Sequence, residues 1–200
     1  VNPLAFNGVL FDLDGTLIDT MPLHYEAYRR TFLDMNLSLT PEMFYGNIGG
    51  TGLETIPRFL AGRAAPYSVA EIHERKKRQL QLLLDEAELT VLPAALLLPL
   101  LRGRVPMAVA TSGARPGVEK MLSRVGWLEM FQAVVTAEDV RHGKPDPEVY
   151  LEAARRIGVP AGECLAFEDT DDGVTSARAA GAAVVDVRSM TTFPMSTGRG

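Results

Sequence analysis

A short apolar run that ends in two aspartates constrains this chain more than any other feature. Gly8-Val9-Leu10-Phe11 is bounded upstream by Asn7-Gly8 and reads as a buried strand. Asp12 and Asp14 follow at i and i+2, with Gly15-Thr16 as a turn. In a parallel sheet, ligands bind outside the carboxyl ends of the strands. Two carboxylates placed there repel each other and need a divalent cation, a proton, or both.

The chain then changes character. From Met21 to about Asp85 there is no strand signal. Pro22 suits the first turn of a helix, and Leu23, Ala27, Tyr28 and Phe32 recur at helical spacing through about Met35. Further helices are predicted over Pro41–Tyr45, from about Leu53 to Ala61, and from Ser68 to about Leu84. Ser68 with Glu71 forms a capping box. The glycine-rich stretch from Gly46 to Gly52 reads as a loop. From Leu89 onward, helices alternate with short apolar strands. Leu92–Leu101 is read as one helix despite Pro99. Strands are predicted at 105–110, 133–135, 164–167 and 183–187, and helices at 116–125, 146–157 and 173–180. Alternation of this kind means right-handed crossovers and a parallel sheet. The first strand finds no partner until about residue 105, so the helical stretch is an insertion. The expected fold is α/β: a Rossmann-like parallel sheet core, residues 1–18 and 89–200, with an inserted helical cap domain, residues 19–88. The polar tail from Ser189 to Gly200 is expected to fray.

Composition narrows the function. A net charge of −5 and a pI near 5.3 argue against a nucleic-acid or membrane-surface partner. Cys164, the single cysteine, cannot form an internal disulfide, which fits a cytoplasmic protein. No secretory signal and no membrane-spanning apolar run are visible.

The predicted strand ends are where polar residues gather. Asp12 and Asp14 follow the first, Thr111-Ser112-Gly113 the second, and Glu168-Asp169 the fourth. Gly143-Lys144-Pro145-Asp146-Pro147 follows within ten residues of the third. A parallel sheet brings these ends to one edge. The acids suit a hard, oxygen-loving cation; the hydroxyls and a helix N-terminus suit phosphate oxygens; Lys144 adds a point charge. This set fits phosphoryl transfer with one carboxylate as nucleophile and another as acid/base.

DxDGT, a strand-terminal Thr/Ser, GKPDP and FEDTxxG occur here in that order. Together they resemble the haloacid dehalogenase-like hydrolase superfamily over nearly all of the sheet-forming part. Within it the chain is most similar to sugar-phosphate phosphatases and β-phosphoglucomutases. The run FEDTDDGVTSARAAGAAVVDVR resembles bacterial phosphatases acting on fructose 1-phosphate or 6-phosphogluconate. The resemblance implies a small phosphorylated metabolite as substrate and Mg²⁺ as cofactor. It makes Asp12 the nucleophile that becomes an aspartyl-phosphate, and Asp14 the general acid/base, which needs a raised pKa. It assigns phosphate binding to Thr111, Ser112 and Lys144. It assigns the metal to Asp12, the Asp14 carbonyl, Asp169 and Glu168. His24, Gly50 and Thr51 become candidates for substrate contact from the cap.

Each assignment has a plainer counterpart. Thr111 and Ser112 are also suited to capping a helix, Lys144 to a solvated surface, and Glu168 to a salt bridge. His24 equally suits a packed or exposed histidine, and Gly49 to Thr51 a mere connector. The run EIHERKKR, Glu71–Arg78, reads as a solvated helix face, and Cys164 as core. Two departures stand out. Gly173 removes the GDxxxD form found in other branches, and the stretch GGTGLET carries no arginine before Arg58. The second favours a monophosphatase over a phosphosugar mutase. A silent phosphosugar-binding module and a dehalogenase are the remaining readings.

Overall fold

The computed structural model describes residues 1–47 and 52–189. The chain divides into two units, one of residues 1–19 and 89–200, the other of residues 20–88.

In the first unit, strand β1 (Gly8–Phe11) is buried along its whole length. Beyond Asp14 the chain forms a two-residue strand, β2 (Ile18–Asp19), before entering the second unit. That unit holds helices α1 (Met21–Leu33), α2 (Pro41–Tyr45), α3 (Gly52–Leu60) and α4 (Val69–Glu86). Its core is aromatic: Tyr28, Phe32, Phe44 and Phe59 pack together with Ile56 and Ile72. The capping box forms as expected, with Glu71 N–H donating to Ser68 Oγ and Ser68 N–H to the Glu71 carboxylate. The stretch Glu71–Arg78 departs from a solvated face at two points, the core residue Ile72 and Lys76. Lys76 is 5% exposed, with Nζ 2.9 Å from His24 Nδ1 and 4.9 Å above the Tyr28 ring. On the exposed side, Lys77 pairs with Glu74 at i,i+3 spacing rather than i,i+4.

Returning to the first unit, β3 (Thr90–Val91) pairs antiparallel with β2, so Asp19 lies opposite Thr90. Two-residue strands leave no periodic signal in the sequence, so neither β2 nor β3 is predicted from it. Leu92–Leu101 is not one helix. A 3-10 turn at Pro93–Leu97 gives way to α5 (Leu98–Leu101), with Pro99 in its first turn. Proline lacks the N–H that a continuing helix would need, so the break falls just before it. Strand β4 (Met107–Ala110), helix α6 (Arg115–Arg124), strand β5 (Ala133–Val135), helix α7 (Glu148–Arg156), strand β6 (Cys164–Glu168), helix α8 (Asp171–Ala179) and strand β7 (Ala183–Asp186) follow. Helix α8 starts two residues earlier than its expected bound. Thr170 caps it by accepting from Gly173 N–H, which places Asp171 and Asp172 in its first turn.

The five long strands run parallel in the order β5-β4-β1-β6-β7, as the α/β reading requires. The first strand is therefore central. Alanines 108, 110, 153, 154 and 166 are buried where α7 packs on the sheet, and their small side chains let helix and strands approach closely. Cys164 is fully buried there, as expected of a core cysteine.

The turn after β5 is clamped to both neighbouring helices. Asp139 accepts from Thr136 N–H and Oγ, from Arg156 at 2.8 Å, and from Arg115. Burial works against its charge, but Arg156 and Thr136 prevail and hold its carboxyl at about 2. A carboxyl whose folded value lies below its unfolded value stabilises the fold above that unfolded value. The contribution is lost as pH falls from about 4 to about 2. Asp139→Asn is therefore expected to flatten the acid limb of stability in that window. Unfolding free energies from urea titrations at pH 5 and pH 2.5 should differ less in the variant than in the parent, by on the order of 1 kcal/mol after solvent screening.

Candidate active site

The carboxyl ends of β1 and β6 build one compact charged cluster. Asp12 N–H donates to the Phe167 carbonyl at 3.0 Å, which carries the ladder one residue beyond β1 and fixes the Asp12 backbone. The Asp12 side chain is buried. Lys144 Nζ lies 2.6 Å from its Oδ1 and 2.5 Å from Glu168 Oε1, and the lysine side chain is 7% exposed. Lys144 is thus not a solvated surface residue. Its segment returns over the sheet edge, and two acids offset the cost of burying its ammonium.

Thr111 N–H is held by the Val135 carbonyl, and its hydroxyl lies 3.2 Å from Asp14 Oδ2. The same hydroxyl oxygen accepts from Gly113 N–H. Ser112 is exposed beside it. Asp169 receives the Thr16 hydroxyl at 3.4 Å. A cleft of about 300 Å³ lies alongside, lined by Thr16, Pro93, Asp169 and Arg188 among others.

Glu168 is completely buried and saturated with donors. Its Oε2 accepts from Asp169 N–H, Thr170 N–H and the Thr170 hydroxyl; its Oε1 accepts from Lys144 and from the Tyr150 hydroxyl at 3.0 Å. This packing explains Gly173. A Cβ there would lie 1.8 Å from Glu168 Oε1, so an acid at that position cannot coexist with this glutamate. Gly15 has the same relation to Asp169. Its φ is +87°, and a Cβ would fall 2.1 Å from Asp169 Oδ2.

The electrostatics follow from the count. Four carboxylates, Asp12, Asp14, Glu168 and Asp169, stand against one ammonium, Lys144. Burial first, and then the neighbouring acids, push the Asp12 carboxyl well above the ordinary range, against the pull of Lys144. Asp169 is pushed up to about 6, by burial and then by Glu168. Glu168 is held down despite its burial, because Lys144 and its hydrogen-bond donors favour the charged form. Burial opposes the charge on Lys144, yet Asp12 and Glu168 hold its ammonium above the usual lysine value.

Such a site wants another cation. Asp12 Oδ2 is buried and accepts no hydrogen bond. Asp12, Glu168 and Asp169 each offer a carboxylate oxygen, all within 4.8 Å of one another. An anionic, all-oxygen donor set of this kind fits Mg²⁺.

Of the residues singled out from the sequence, Asp12, Lys144, Glu168 and Asp169 meet directly, and Thr111 meets Asp14. His24 lies in the helical unit beside Lys76. Gly49, Gly50 and Thr51 fall outside the described residues. Tyr150 joins the site without a sequence motif of its own. Its signal was a tyrosine six residues beyond Lys144, at a position that helical spacing alone marks as core.

A family model described as haloacid dehalogenase-like hydrolase matches residues 9–187. The fructose-1-phosphate phosphatase YqaB of Escherichia coli is 34% identical over 186 residues, 92% of this chain and 97% of that protein. Hexitol phosphatase A of the same organism is 35% identical, over 94% of this chain and 85% of its own length. Among solved structures, CbbY from Rhodobacter sphaeroides in complex with phosphate superposes with a TM-score of 0.79 at 32% identity, covering 90% of this chain and 84% of that one. Among the described residues, no helix is long and apolar enough to cross a membrane.

Proposed function

We propose, on the premise that this chain belongs to the haloacid dehalogenase-like hydrolase family and is a phosphatase within it, that it hydrolyses a small phosphorylated sugar or polyol. The observation that carries this reading is the meeting of Asp12, Lys144 and Asp169 at the carboxyl ends of the two central strands. Relatives named for fructose 1-phosphate, hexitol and phosphorylated-carbohydrate substrates support the substrate class.

In this reading an Asp12 carboxylate oxygen forms a bond to phosphorus while the bond from phosphorus to the sugar oxygen breaks. Asp14 gives its proton to that departing oxygen, leaving a free alcohol and phospho-Asp12. Water then attacks the same phosphorus, Asp14 takes the proton, and inorganic phosphate leaves with the Asp12 carboxylate restored. Lys144 and the Thr111 hydroxyl hold the phosphoryl oxygens, with Ser112 next to them on the loop. Lys144 also lowers the repulsion between the anionic nucleophile and the phosphate dianion. Asp12, Asp169, Glu168 and the Asp14 carbonyl are the groups that would hold Mg²⁺. When bound, the ion supplies charge neutralisation for the nucleophile and the transferred group.

A panel of fructose 1-phosphate, hexitol phosphates, 6-phosphogluconate and β-glucose 1-phosphate tests the proposal, with inorganic phosphate and isomerised sugar both measured. Phosphate release from at least one of them is expected, falling roughly a hundredfold or more in EDTA and returning with Mg²⁺. Release indifferent to chelation would remove the metal from the reading. Isomerised product that needs a bisphosphate primer, with little free phosphate, would replace hydrolysis by mutase chemistry.

A further inference from the structure

We propose that the Tyr150 hydroxyl is a positioning residue for this site: it fixes the Glu168 carboxylate, and through it sets where the Lys144 ammonium stands between Glu168 and Asp12. The inference rests on the reading of the site as a metal-dependent phosphatase centre.

The argument begins with burial. Tyr150 is fully buried in the core between α7 and the sheet. A phenylalanine would fill that space without a polar atom to satisfy. The hydroxyl instead reaches across to Glu168, eighteen residues away in sequence, and donates to Oε1 at 3.0 Å. Burial and the adjacent acids keep this phenol protonated, so it serves as a donor.

The two oxygens of Glu168 are held from opposite directions. Oε2 is tied to the backbone and hydroxyl at the start of α8. Oε1 is shared by Lys144 at 2.5 Å and Tyr150 at 3.0 Å. Lys144 and Tyr150 come from one short segment, and the ammonium also lies 5.1 Å above the Tyr150 ring centroid. Tyr150 therefore touches both partners of the ion pair, one with its edge and the other with its face. With the hydroxyl in place, both accepting directions of Oε1 are used, so the glutamate is held in one orientation and cannot draw Lys144 wholly to itself. Without it, Oε1 keeps a single donor. The carboxylate is then free to rotate, and the ammonium shifts away from Asp12, where the transferred phosphoryl group must be met. Partners that orient ligands in this way typically change metal affinity or activity by about 10- to 100-fold when removed.

Tyr150→Phe keeps the ring and nearly all the volume, so the fold should survive. Two constants should be measured by calorimetry without substrate: Mg²⁺ binding, and binding of inorganic phosphate in the presence of saturating Mg²⁺. Both are expected to weaken about tenfold in Y150F, with kcat falling by a similar factor and the melting temperature of the chelated protein within a few degrees of the parent. A tyrosine that only fills the core predicts a different result. Mg²⁺ and phosphate constants within twofold of the parent, whatever the melting temperature, overturn the inference alone. Absence of saturable Mg²⁺ binding in the parent enzyme overturns the metal-centre reading, and this inference with it.

Discussion

Asp12→Asn is expected to abolish phosphate release, lowering kcat by roughly four orders of magnitude or more. The amide is nearly isosteric with the carboxylate but has no anionic oxygen to attack phosphorus. The substitution should not unfold the protein. It removes one negative charge from a cluster in which four carboxylates face one ammonium, and Lys144 keeps Glu168 as its partner. Burial and three neighbouring acids already disfavour the charged form of Asp12. The neutral side chain should therefore leave the chelated protein as stable as the parent or slightly more so. Sugar-phosphate binding should survive as well, since the variant removes repulsion toward the phosphate dianion while Thr111 and Lys144 remain. The measurement pairs a phosphate-release assay with calorimetric binding of the same sugar phosphate. Loss of turnover with retained binding identifies Asp12 as the nucleophile. Turnover above about 1% of the parent would mean that water attacks directly or that another group forms the covalent bond.

What could be read from the sequence and what could not divide along a physical line. Asp12, Thr111 and Asp169 are visible because each follows a short apolar run, and a parallel sheet brings such ends to one edge without further information; Lys144, nine residues past its strand, is visible through the GKPDP motif. Helix α4 was visible because Ser68 and Glu71 announce its start locally. Properties that depend on which surfaces meet were hidden. Lys76 sits in a charged run and looks solvated until α4 packs on α1 and buries it. Tyr150 looks like any apolar-spaced helix residue until α7 lies against the sheet and its hydroxyl finds Glu168. The role of Gly173 could be noticed only as a missing acid; the structure supplies the reason, a glutamate carboxylate occupying that space. The pairing of Ile18–Asp19 with Thr90–Val91 involves segments too short to carry a period.

Lys144→Met should show that one ammonium serves both fold and chemistry. Its side chain is 7% exposed, and its two partners, Asp12 and Glu168, are buried as deeply. Removing one member of a buried ion pair leaves the rest uncompensated and typically costs about 3–5 kcal/mol. In EDTA the variant should therefore melt roughly 10 °C below the parent. Mg²⁺ should recover part of the loss, because an ion that binds the folded state alone stabilises it by mass action. Activity should not return with stability. The variant lacks the charge that meets the phosphoryl oxygens, and kcat/KM is expected to stay at least about a hundredfold down in saturating Mg²⁺. The double variant D12N/K144M separates the two roles. If Lys144 is held chiefly by Asp12 and Glu168, neutralising Asp12 should relieve part of the damage, and the stability cycle should depart from additivity by about 1–3 kcal/mol. An additive cycle would mean that the charge of Lys144 is balanced elsewhere, and the cluster would lose its claim to work as one electrostatic unit.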